Sequence, residues 1–277
     1  MLNLLPFLTN LNENLQKVNN RINKYLNKTT AKKIHDVRTA IRRLDATFST
    51  LPKKYRNGSS LSKYVSQCKE LFKINSEIRD FDIICEKLYK YPSSVQRDSV
   101  IETLKETRKA KLDSAKTIAL TLKNTDIATI LDEIGVTEKE LQKRYNKILS
   151  RLISDLESNF PRVLVNPSAS EELHDLRIAC KKLRYMLELL PDEDKLAVQT
   201  RQSLQKLQDI LGSIHDSDFA IGYLRSLQSS KEIQEIINME NEVRRLKFEQ
   251  FLNYSKRRLD ISADSFLIKI RSLKLPR

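Results

Sequence analysis

A ten-residue string, HDVRTAIRRL starting at His35, returns 139 positions later as HDLRIACKKL starting at His174. His, Asp, Arg, Ala and Leu hold matching places, and Arg-Arg becomes Lys-Lys, which keeps the charge. Two more strings recur in the same order, each 136 residues on: IRDFD at Ile78 with IHDSD at Ile214, and RKAKL at Arg108 with RRLKF at Arg244. A weaker fourth match sets Lys17 and Arg21 against Lys147 and Arg151, 130 residues apart. Offsets held in order, with only loop lengths changing, mark a duplicated architecture. The expected organisation is two similar helical repeats, residues 1–136 and 137–277.

Each matched segment falls on its own expected helix, giving four helices per repeat and an all-α fold. Apolar residues recur at spacings of three and four, and the chain holds only 4 Gly, 7 Pro and no Trp, which suits packed helices rather than strands. Helix breakers are expected at Pro52 to Ser60, Tyr91 to Ser94, Asn124 to Thr137, Pro161 to Ser170, Pro191 to Asp194 and near Ser229 to Ser230, leaving roughly eight long helices. Ser76 aligns with Gly212, and two small residues at one helical site predict the close approach of another backbone.

On a helical projection Ile34, Val37, Ile41, Leu44 and Phe48 share one face while His35, Arg38 and Arg42 share another. The second copy repeats this, with Leu173, Leu176, Cys180, Leu183 and Leu187 against His174, Arg177 and Lys181. Lining up cations at i and i+4 is locally unfavourable by a few tenths of a kcal/mol per pair, a cost that an anionic ligand relieves. Arginine offers a planar fork for phosphate, lysine a mobile point charge, and histidine a donor whose charge grows as pH falls. Arg108 with Lys111, and Arg244 with Lys247, extend the basic surface. Arg79 and His215 precede carboxylates by one and three residues, so the segments Arg79–Asp82 and His215–Asp218 read as an interhelical salt-bridge network or as direct ligand contacts.

A net charge of +14 and a pI near 9.6 attract polyanions of several kinds: nucleic acid, inorganic polyphosphate, acidic lipid headgroups or acidic proteins. Nucleic acid is the weaker candidate, because aromatics are 6% of the chain and none is interleaved with the His35 stripe, although Tyr185 follows the second one. Cys68, Cys85 and Cys180 lack CxxC spacing and fit a reducing compartment. MLNLLPFLTNLNENL has no basic leading region, and no run of about 18 apolar residues occurs, so a cytoplasmic protein off the membrane is expected.

No glycine-rich phosphate loop, HExxH, CxxC or nucleophile elbow is present. The three histidines are flanked by Arg and Lys, which repel a dication. No catalytic residue, cofactor or metal is therefore expected. A phosphohydrolase would have to use Asp80, Asp82, Asp216 and Asp218 as its metal ligands.

The motif His-x-x-Arg-x-x-x-Arg/Lys-Arg/Lys-Leu in each half, with IRDFD and LQDILGSIHDSD, resembles the CHAD domain, the conserved-histidine α-helical domain, across nearly the whole chain. That resemblance implies two four-helix bundles related by a pseudo-twofold axis, with a basic central groove or tunnel that binds inorganic polyphosphate. By position it implies His35, Arg38, Arg42 and Arg43 as ligand contacts in one half, and His174, Arg177, Lys181, Lys182 and Arg184 in the other. Arg79, His215, Arg108, Lys111, Arg244 and Lys247 match further basic family positions. Asp45 stands where the other copy has Arg184, and His215 replaces the arginine more usual there, so asymmetric binding is expected. The triphosphate-tunnel enzyme domain that often accompanies the family carries an ExExK signature, which this chain lacks. The expected role is non-enzymatic polyphosphate binding, with association to polyphosphate granules.

Overall fold

The structure, a computed structural model, describes residues 2–127, 134–227 and 230–258. Ser229, in the expected break near Ser229 to Ser230, and the C-terminal residues 259–277 lie outside them. Among the described residues nine helices occur: α1 (Leu4–Asn27), α2 (Ala31–Thr50), the single turn α3 (Lys53–Arg56), α4 (Ser60–Leu88), α5 (Val95–Lys123), α6 (Glu138–Val165), α7 (Ser170–Leu187), α8 (Lys195–Arg225) and α9 (Lys231–Arg258). The fold is all-α. Eight long helices match the expected number, and helix α1 ends at Asn27, outside the expected breakers.

The chain divides into two compact units. One comprises Met1–Glu86 with Ser99–Tyr145, and so holds α1, α2, α3, most of α4 and α5, and the start of α6. The other comprises Lys87–Asp98 with Asn146 onward, and so holds the α4–α5 tip, most of α6, and α7, α8 and α9. Neither unit is a continuous stretch, so this division follows packing rather than the boundary of the repeat at residues 136 and 137.

In the first unit α1 packs on α2 through apolar faces that include Leu11, Leu15, Val18, Ile22, Ile34, Val37, Ile41 and Leu44, all buried. The Thr30 side chain caps α2 by accepting from the Lys33 backbone N–H at 3.3 Å, satisfying one otherwise orphaned donor. Buried polar groups are paired across helices: Asn14 donates to Thr47 Oγ1 at 2.9 Å, and the Tyr25 hydroxyl donates to Asn75 Oδ1 at 3.2 Å. Burial raises the Tyr25 pKa to about 12.

In the second unit α7 packs on α8 and α8 on α9. Leu173, Leu176, Cys180, Leu183 and Leu187 are all buried, as the helical projection predicts. Asp194 caps α8 by accepting from the Ala197 N–H at 3.1 Å. The α4–α5 tip is tied to this unit by charge: Lys87 Nζ donates to Glu240 Oε2 at 2.7 Å and to Ser217 Oγ at 3.0 Å, while the Tyr91 hydroxyl donates to Glu240 Oε1 at 2.8 Å.

The expected break at Pro161 to Ser170 falls after Val165: Pro161 itself lies inside α6, where buried Phe160 and Val163 anchor the last turn despite the proline's missing N–H. One expectation needs correction. At Gly212 a Cβ would meet nothing within 4 Å, so the small residue there leaves open space instead of admitting a neighbouring backbone.

Candidate functional site

In the first unit His35, Arg38 and Arg42 rise along one face of α2, with His35 exposed and both arginines half-buried. The amphipathic pattern produces this: burial of Ile34, Val37 and Ile41 leaves the residues between them at the margin of the core. Phe72 on α4 lies beneath the stripe, its ring centroid 5.5 Å from the Arg38 guanidinium carbon and 5.0 Å from that of Arg42. Arg38 Nε is shielded from solvent. His35 Nε2 lies 3.4 Å from Thr39 Oγ1, and although the residue as a whole is exposed, its pKa is lowered, first by partial desolvation of the ring and then by Arg38, Arg42 and Arg79. Arg79, on α4, is thus in electrostatic reach of the stripe.

Arg79 donates to Glu86 at 2.8 and 3.3 Å. Asp82 instead receives Arg108 Nε from α5 at 2.6 Å, and Lys111 pairs with Glu77 at 2.5 Å. Of the two readings open for this segment, an interhelical salt bridge is present as Arg108–Asp82, while Arg79 pairs with Glu86 along α4. Arg43 is exposed on the neighbouring side of α2. Asp45 pairs with Lys69 at 2.8 Å.

In the second unit His174, Arg177 and Lys181 are all half-buried on one face of α7, and Arg177 Nε, like that of Arg38, is shielded from solvent. His215 on α8 meets this face: its Nδ1 lies 3.3 Å from His174 Nδ1, with ring centroids 4.8 Å apart. A contact between two ring nitrogens requires a proton on one and a lone pair on the other. Burial, followed by the Arg177, His174 and Lys181 charges, lowers the His215 pKa to about 3. His174 is lowered by burial, Arg177 and Lys181.

Arg244 on α9 pairs with Asp218 on α8 through Nε, the same atoms and the same repeat positions as Arg108 with Asp82. Lys247 donates to Gln250 at 3.3 Å. Lys182 is exposed. Arg184 is drawn into a local network: it donates to Glu188 at 2.6 Å and to Gln208 Oε1 at 3.2 Å, and it lies 4.4 Å over the Tyr185 ring. Gln208 in turn donates to the Cys180 carbonyl at 3.1 Å.

The family model of the CHAD domain matches residues 10–225. The chain belongs to the CHAD-domain family. The crystal structure of the CHAD domain from the plant Ricinus communis is similar in fold, with a TM-score of 0.60 at 17% identity over 98% of this chain and 92% of that one. No curated protein matches the chain.

Within this CHAD domain the matched segment runs from α1 to the end of α8 and contains both histidine stripes. No helix among the described residues is long and apolar enough to cross a membrane. Among the same residues no three of His, Cys, Asp and Glu are grouped to hold a metal ion. Phe72 and Gln208 were not singled out from the sequence, yet the 136-residue offset that aligns Ile78 with Ile214 also aligns them.

Proposed function

We propose that this CHAD domain binds inorganic polyphosphate without turning it over. The observation that carries the reading is the duplicated line of cations: each repeat sets a histidine, an arginine three residues on and a second cation four further along one helical face. Seven residues of helix rise about 10 Å, enough to meet several successive anionic groups. Forked guanidiniums and mobile ammoniums both suit phosphate oxygens.

Two observations favour polyphosphate over nucleic acid and over hydrolysis. Aromatic rings beside the stripes, Phe72 and Tyr185, carry guanidiniums rather than standing open for bases to stack on. Asp82 and Asp218, two of the four carboxylates a metal-dependent hydrolase would need, already hold Arg108 and Arg244. Recruitment to cytoplasmic polyphosphate granules belongs to the same proposal.

The test neutralises R38Q, R42Q, R177Q and K181Q together in a protein whose helical content is checked by circular dichroism. Removing four phosphate-facing charges is expected to cost about two orders of magnitude in polyphosphate affinity at low salt; unchanged affinity refutes the reading. Release of inorganic phosphate from polyphosphate with Mg²⁺ or Mn²⁺ would refute its non-enzymatic part.

A further inference from the structure

The two repeats support their second stripe cation differently. In the first unit the cation four residues after the leading arginine is Arg42, and Phe72 lies against both guanidiniums. In the second unit the matching residues are Lys181 and Gln208, and Gln208 is buried and bonded to Arg184 and to the Cys180 carbonyl. A guanidinium pair goes with a π face, and an ammonium goes with an amide turned elsewhere.

Physical chemistry gives this difference a consequence. Arg38 and Arg42 stand at i and i+4, where like charges repel and two long side chains each keep several rotamers. A ring with a negative π face within about 6 Å attracts both cations and narrows their range of positions. Ordering a flexible side chain is a cost that a ligand otherwise meets on binding, so cations ordered beforehand bind an anion more tightly. Both arginines are half-buried, and the ring gives their forked ends a shared contact.

We propose that Phe72 is a positioning residue that aims the Arg38 and Arg42 guanidiniums at successive phosphates of one chain, making the first unit's stripe a preorganised subsite. The inference rests on the polyphosphate reading. Its test is polyphosphate binding by calorimetry to wild type, F72L, F72Y and F72W, and to F72L combined with R38Q and R42Q. F72L keeps an apolar side chain of similar volume and is expected to weaken binding about five- to thirtyfold, with the slope against salt retained because no charge is lost. F72Y and F72W keep a π face and are expected to bind within about threefold of wild type.

In the R38Q and R42Q background F72L is expected to have no further effect, since coupled residues show non-additive losses. Wild-type binding with F72L unchanged overturns this inference alone. So does a loss in F72L that persists in the R38Q and R42Q background, because the ring would then act only through packing. Absence of wild-type binding overturns the polyphosphate reading and this inference with it.

Discussion

Arg108 donates through Nε to Asp82 at 2.6 Å, joining α5 to α4. Arg244 makes the same contact with Asp218, joining α9 to α8, so one ion pair is built twice at matched positions of the repeat. Asp82 Oδ2 is buried with no hydrogen-bond partner, which leaves Arg108 to compensate most of the carboxylate's desolvation. Replacing Asp82 by Asn is therefore expected to lower unfolding free energy by about 1–3 kcal/mol, read from urea midpoints. A change below a few tenths would show that the pair is a solvent-screened surface contact.

Glu240 is 2% exposed and takes hydrogen bonds from Lys87, Tyr91 and Ser217. Burial pushes its pKa up, but the bonds and the Lys87 charge together hold it below the ordinary carboxylate value. Its contribution to stability is thus present above the unfolded pKa of about 4.3 and is lost as pH falls through the lower folded value. E240Q strands the Lys87 ammonium and is expected to cost about 3–5 kcal/mol. The double variant K87M/E240L is expected to cost less than E240Q alone, and urea unfolding of the two separates a charge effect from lost packing.

His215, held at about 3 by burial and by the Arg177, His174 and Lys181 charges, has a folded pKa below its unfolded value of about 6.5. The unfolded chain then binds more protons between those limits, so stability is complete above about pH 6.5 and declines as pH falls towards the folded value. His35 and His174, also lowered, act in the same direction. A bound polyanion favours the imidazolium, so polyphosphate is expected to reduce this decline and to bind more tightly at about pH 5.5 than at 7.5. H215Q should flatten part of both trends, followed by thermal melts and by calorimetry; an unaltered pH profile would remove His215 from the ligand's field.

Arg184 and Arg177 are both arginines of α7, but their surroundings differ. Arg184 is held by Glu188 and Gln208 and lies over Tyr185, whereas Arg177 stands on the histidine stripe and acts on both His174 and His215. R177Q is expected to weaken polyphosphate binding about tenfold and R184Q less than about threefold, with stability shifting more in R184Q. Equal losses of affinity would place Arg184 on the ligand as well.

The repeat makes much of this legible in the sequence itself. Periodicity around His35 and His174 identifies both buried faces, because the helix rule converts spacing directly into direction. The local rules fail where the answer depends on a different helix. Phe72 lies 30 residues beyond Arg42, and nothing within α2 indicates that a ring on α4 receives its guanidiniums. Lys87, Tyr91, Ser217 and Glu240 are scattered in sequence and have no counterpart in the other repeat, where Phe81 and Leu104 align with Ser217 and Glu240. Gly212 shows the converse: a small residue permits close packing but does not cause it, and space is left open there.

The most direct test of the central claim is calorimetric binding of long-chain polyphosphate at about 50 and 200 mM salt, with single-stranded and duplex DNA as competitors at equal phosphate concentration. Tight binding that weakens with salt and resists both competitors is the predicted result. Weak binding, or displacement by either nucleic acid at equal phosphate, would contradict it and would make the +14 charge a general polyanion surface.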